Sequence, residues 1–104
     1  MACRVLMVGL STPELPQQDG VTVFSTSFED AREKLLTGQF DRLITVVRLG
    51  RFNGLHLAIL ARHEFPRMRI VVFSESDDPV LRKEARAVGA RYMVKPLERE
   101  SCAQ

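Results

Sequence analysis

The chain has 104 residues, 45% apolar and 27% charged, with a formal net charge of +2. That length supports one domain with a modest core, and so small a charge gives no case for a nucleic-acid or polyanion partner. No apolar run approaches the ~20 residues of a membrane span, and no basic stretch leads into an apolar one as a secretory leader would, so a cytoplasmic protein is expected.

Val5 to Val8 is a short apolar run closed by Gly9 and reads as a buried strand. Val21 to Phe24 is a second, β-branched at its first three positions. Ser27 then offers an N-cap, with Asp30 in a capping-box-like position. Phe28, Ala31, Leu35 and Leu36 follow at helical spacing, and Gly38 stops that helix. Leu43 to Val47 is a third strand, apolar but for Thr45, as suits a central parallel strand covered on both faces. Asn53-Gly54 opens the next helix and Pro66 bounds it. Leu55, Leu57, Ala58, Ile59, Leu60 and Ala61 make it apolar around most of its circumference, which predicts neighbours on both sides. Ile70 to Phe73 is the fourth strand. Asp78-Pro79 is an N-cap followed by Pro at the first helical position. Leu81, Ala85 and Val88 form the buried stripe of that helix, Gly89 ends it, and Tyr92 to Val94 is the fifth strand.

Strands alternating with helices at this spacing predict an α/β fold with a parallel sheet and right-handed crossovers. Only Gly9 to Gly20 joins the first two strands, with Pro13 and Pro16 inside it. That is about the minimum for a parallel crossover and leaves no room for a normal helix. After Pro96 only Leu97 to Gln104 remain, too few for a full last helix.

The stretch Gly89 to Pro96, in which a helix ends at Gly and a short strand stops at Lys95-Pro96, resembles the last strand of a bacterial response-regulator receiver domain. Phe40-Asp41 before the third strand and Asn53-Gly54-Leu55 at a helix start are similar to that family's pattern too. So are Ser74 at the end of the fourth strand and Tyr92 three residues before Lys95. The resemblance covers nearly the whole chain. It implies a flavodoxin-like five-stranded parallel sheet of order 2-1-3-4-5, here with the first helix absent or vestigial and the last truncated.

The departures from the pattern bear on chemistry. A receiver ends its first strand with two carboxylates that hold Mg²⁺, a hard cation demanding oxygen ligands; those positions are Gly9 and Leu10. The position of the phospho-acceptor Asp is Val46. Phosphoryl transfer rests on positioning and on charge neutralisation around a metal. The pattern therefore implies neither metal nor cofactor, and no enzyme. Ser74, Thr45 and Ser11 have hydroxyls but no neighbouring base in the pattern to activate them.

The vestigial pocket is thus Gly9, Leu10, Val46, Ser74, Tyr92, Lys95 and Pro96. Lys95 has two readings. One is an anion site at the strand carboxyl ends, with Arg48 or Arg51; the other is a salt bridge to Glu75 or Asp77. Tyr92 is either core or a fixed contact residue. His56 and His63 share a helix but no third ligand joins them, so they read as solvated. Cys3 and Cys102 have no metal or redox spacing and read as reduced thiols. Arg82, Lys83 and Arg86, with Arg91 and Tyr92, form either a solvated basic face or a docking surface.

Two functions follow as expectations. The first is a non-phosphorylatable pseudo-receiver that acts by protein contact in bacterial signal transduction, on a protein partner or a fused output domain. The alternative is an anion or small-molecule sensor using the pocket near Ser74 and Lys95. The sheet face normally covered by the first and last helices would be left bare, so a homodimer through it is a further expectation.

Overall fold

In the computed structural model the chain is described over residues 4–9, 21–49, 52–74 and 77–94. The strands of its main sheet are β1 (Arg4–Val8), β2 (Val21–Ser25), β3 (Arg42–Val46), β4 (Arg69–Ser74) and β5 (Arg91–Val94). The helices are α1 (Phe28–Thr37), α2 (Gly54–Glu64) and α3 (Pro79–Ala87). All pairings in the sheet are parallel and the order is 2-1-3-4-5. Every strand runs from a polar or charged first residue into apolar ones, except β2, which starts apolar and carries Thr22 and Ser25.

Each helix starts where a short polar side chain can take up its orphan amides. Ser27 Oγ accepts from the Asp30 amide (3.2 Å). Asn53 Oδ1 accepts from Leu55 N–H (2.8 Å), and Asp78 Oδ1 from Val80 and Leu81 (2.9 and 3.4 Å). The Asp30 carboxylate does not complete a capping box back to Ser27. It accepts instead from Ser25 Oγ and Lys34 Nζ, each at 2.6 Å. Gly89 ends α3 in the left-handed region, at φ +73°. Gly38 ends α1 in extended backbone, its amide donating to the Lys34 carbonyl.

The two sheet faces differ. Leu6, Val8, Leu43, Ile70 and Val72 point to one face, where they meet Ala31 and Leu35 of α1, Leu57, Ala58 and Ala61 of α2, and Ala85 of α3. At roughly 1.5–3 kcal/mol for each large side chain removed from water, this layer holds the helices to the sheet. Val5, Met7, Ile44, Val71, Phe73 and Met93 point to the other face, in a cluster that contains no residue of a described helix.

Three expectations need correction. The second face is not bare: its six apolar side chains are at most 8% exposed within the single chain. The third strand stops at Val46, not Val47. Beyond it, Arg48–Leu49 and Phe52–Asn53 pair as a short antiparallel ribbon that apolar periodicity did not reveal. The helix α2 does lie between α1 and α3, as expected, with Ile59 49% exposed and His56 exposed on the side turned to solvent. The third stripe is buried in full only at Ala85, with Leu81 and Val88 half-buried at its edges. Apart from these expectations, Arg42 is 2% exposed, a buried charge on which the sequence reading was silent. The expectations of a missing first helix and a shortened last one fall on residues 10–20 and 95–104, outside the described residues.

Candidate functional site

The register brings three of the expected pocket positions, Gly9, Val46 and Ser74, to one edge. Val8 lies opposite both Ser25 and Thr45, Val46 opposite Phe73, and Ser74 opposite Val94. The carboxyl ends of β1, β3, β4 and β5 therefore line up, and this is the edge where parallel α/β sheets hold ligands. Gly9 turns the chain out of β1 at φ +80°, its amide donating to the Ser25 carbonyl (2.8 Å). Val46 is half-buried and touches both apolar clusters. Ser74 is half-buried at the end of β4. Leu10, Lys95, Pro96, Arg51 and Glu75 lie outside the described residues.

The amino end of α2 closes directly on Val46. Gly54 N–H donates to the Val47 carbonyl (2.6 Å), and Val47 N–H to the Phe73 carbonyl (2.9 Å). A β-carbon on Gly54 would stand 1.8 Å from the Val46 carbonyl oxygen and 2.9 Å from Thr45 Oγ1. Thr45 is fully buried, and its hydroxyl donates to that same carbonyl (3.1 Å). The edge at β3 is thus apolar side chain and satisfied backbone. Among the described residues no three His, Cys, Asp or Glu side chains are grouped so as to hold a metal ion.

On the neighbouring side the structure gathers Asp77, Asp78, Arg82 and Tyr92. The Tyr92 hydroxyl accepts from the Asp78 amide (3.2 Å). Arg82 lies over the Tyr92 ring, 4.9 Å from its centroid, and its Nη2 and Nε donate to Asp77 Oδ1 (2.7 and 3.2 Å). With the ring in a cation–π contact and the hydroxyl bonded, Tyr92 is held in one orientation. Asp77, one expected partner for Lys95, carries an ion pair to Arg82. Lys83 and Arg86 stand exposed on α3 with no ion pair among the described residues, and Arg91 is exposed at the start of β5. Val80, in the first turn of α3, is 64% exposed. The basic residues expected as one surface thus share the outer side of α3 and the start of β5, although Arg82 is committed to Asp77 and Tyr92.

Sequence reasoning missed two polar centres. One is Asp30, held below its usual carboxylate range by hydrogen bonds from Lys34 first and Ser25 second. The other is Arg62, whose guanidinium reaches three carbonyls: Val88 from Nε (3.1 Å), Gly89 from Nη2 (2.8 Å) and Pro66 from Nη1 (2.6 Å). An isolated Arg in a helix carries no sequence mark of such a role. Asp30 could have been found from its i,i+4 spacing to Lys34.

No family model and no curated protein matches this chain. Solved structures do. The chain is similar to a response regulator receiver domain protein (CheY-like) from Methanospirillum hungatei JF-1, with TM-score 0.81 and 16% identity over 94% of this chain and 85% of that one. It is similar to the BeF3-activated receiver domain of DrrB, from Thermotoga maritima, with TM-score 0.80 and 17% identity over 94% and 88%. The chemotaxis protein CheY4 of Vibrio cholerae matches at TM-score 0.78 and 20% identity over 94% and 90%. With the sheet order and the three helices on one face, these likenesses establish that the chain has the flavodoxin-like fold of response-regulator receiver domains.

Proposed function

We propose that the chain is a single receiver-like domain that takes no phosphoryl group and works in bacterial signal transduction by protein contact, as a binding module and not an enzyme. The observation that carries this reading is the composition of the strand carboxyl edge. Gly9 and Val46 stand at the ends of β1 and β3, and the amino end of α2 closes on the Val46 backbone. Neither side chain can ligate a hard cation or accept phosphate, and without both a receiver fold has no phosphoryl chemistry to run. Ser74, Tyr92, Lys95, Pro96 and Leu10 complete the pocket on the sequence pattern.

The partner surface is α3 with the start of β5: Arg82, Lys83, Arg86, Arg91 and Tyr92. The exposed Val80 and the exposed cations Lys83 and Arg86, which form no ion pair among the described residues, support it. Tyr92, pinned by the Asp78 amide and Arg82, serves there as a fixed contact residue in place of a switch. A homodimer through the second sheet face has lost its main argument, since the apolar side chains there are already out of water in one chain. Nothing in the described residues favours the alternative, an anion or small-molecule sensor using the pocket near Ser74 and Lys95.

The test is phosphodonor chemistry. Incubation with acetyl phosphate and Mg²⁺, or with beryllofluoride, should give no adduct by intact mass or by ¹⁹F NMR. A Mg²⁺-dependent mass gain of one phosphate would overturn the reading.

A further inference from the structure

We propose that Arg62 is a positioning residue that latches the carboxyl end of α3, and the backbone leading into β5, onto α2. For its functional consequence this rests on the docking surface proposed above; the latch itself does not.

The argument starts from how little apolar surface holds α3. Five residues of α2 are buried and two of α1, but only Ala85 of α3. An element with so few buried apolar side chains opens at lower free energy than its neighbours unless polar contacts fix it. At its amino end the Asp78 amide is bonded to Tyr92. At its carboxyl end the local bonds are short-range: Val88 N–H to Glu84 and Ala85, Gly89 N–H to Arg86, and Ala90 N–H to Ala85. The last carbonyls, those of Val88 and Gly89, go to a residue 26 and 27 positions away, Arg62.

The geometry suits only a guanidinium. Nε and Nη2 take the two adjacent carbonyls of Val88 and Gly89, while Nη1 turns to Pro66, just past the end of α2. One planar fork therefore ties the ends of two helices, and a charged donor near a helix carboxyl end also meets the favourable end of its dipole. An ammonium group has donors but no fixed fork with which to span the three acceptors. Gly89 belongs to the same device. A β-carbon there would lie 3.2 Å from Arg62 Nε, on a backbone at φ +73° that already disfavours one. Arg86 and Arg91 flank the latched segment, so the latch sets their spacing.

Amide hydrogen exchange on the intact chain, resolved by NMR, tests this without a partner. In Arg62→Gln and Arg62→Lys, the amides of Val88, Gly89 and Ala90 should exchange roughly tenfold faster or more, as the loss of two charge-assisted bonds implies. Those of β1 and β3 should accelerate far less. Arg62→Lys should fold with near-native global stability and still show the local change. A uniform acceleration across the sheet, no change at residues 88–90, or full local rescue by Lys would each overturn the proposal. A normal latch alongside a failed docking assay would instead sink only the docking reading.

Discussion

Replacing Gly54 with Ala probes the contact that shapes the β3 edge. The added methyl would sit 1.8 Å from the Val46 carbonyl oxygen, whereas β-carbons essentially never approach another heavy atom within 3.0 Å. The amino end of α2 would have to retreat by at least about 1.2 Å, the difference between those distances. The obstacle is backbone in a central strand, so no side-chain rotation relieves it. Retreat stretches the 2.6 Å bond from Gly54 N–H to Val47 and disturbs the Asn53 cap at 2.8 Å. Overpacking costs about 1–3 kcal/mol and a lost hydrogen bond about 1 kcal/mol. The better helix propensity of Ala returns at most about 1 kcal/mol. The expected net loss is about 1–3 kcal/mol, which for a domain of this size lowers Tm by roughly 5–20 °C. Urea unfolding followed by circular dichroism, with calorimetry for Tm, gives the value. A loss under about 0.5 kcal/mol would refute the reasoning, since it would mean that α2 does not press on Val46.

Further outcomes are expected. Val46→Asp alone should remain inert to phosphodonors, since Gly9 would still supply no metal ligand, and should cost on the order of 1–3 kcal/mol for a carboxylate at a half-buried strand end; activation by beryllofluoride would contradict this. Asp30 has a folded pKa below its usual 3.8, held down by Lys34 and Ser25. Its contribution to stability is therefore complete above that value and is lost as pH falls through the folded pKa. In acid titrations Asp30→Asn should lose stability less steeply than wild type below about pH 4, and superimposable slopes would refute the assignment. Changing Lys83 and Arg86 together to Ala should leave Tm within a degree or two, as exposed charges contribute little, yet weaken capture of a partner. Unchanged recovery of the same partners in pull-downs would remove this surface as the interface.

Periodicity carried most of the fold. Continuous apolar runs such as Val5 to Val8 and Ile70 to Phe73 have no polar face to leave in water, so they read as buried parallel strands and are so. Caps were legible because Ser27, Asn53 and Asp78-Pro79 act on amides two or three residues away. The site was legible in part. Lining up Gly9, Val46 and Ser74 needed only the strand order, which alternation and the family pattern together implied. The ribbon after β3 escaped notice because its strands are two residues long, too short for any period.

What the sequence determined by itself is therefore what is local: which segments are strand or helix, where each helix begins, and that no carboxylate stands at Gly9 or Val46. Tertiary structure decided what depends on residues far apart in the chain. Arg62 finds Val88 and Gly89 across 26 and 27 positions, Tyr92 reaches back to Asp78, and Arg42 goes under cover although its neighbours in sequence do not require it. The second sheet face belongs here too, since it is assembled from six side chains of four strands. The physical reason is range. A cap or an amphipathic period is set by neighbours within a helical turn, whereas a guanidinium's partners and a face's exposure are set only once the crossovers have placed distant segments side by side.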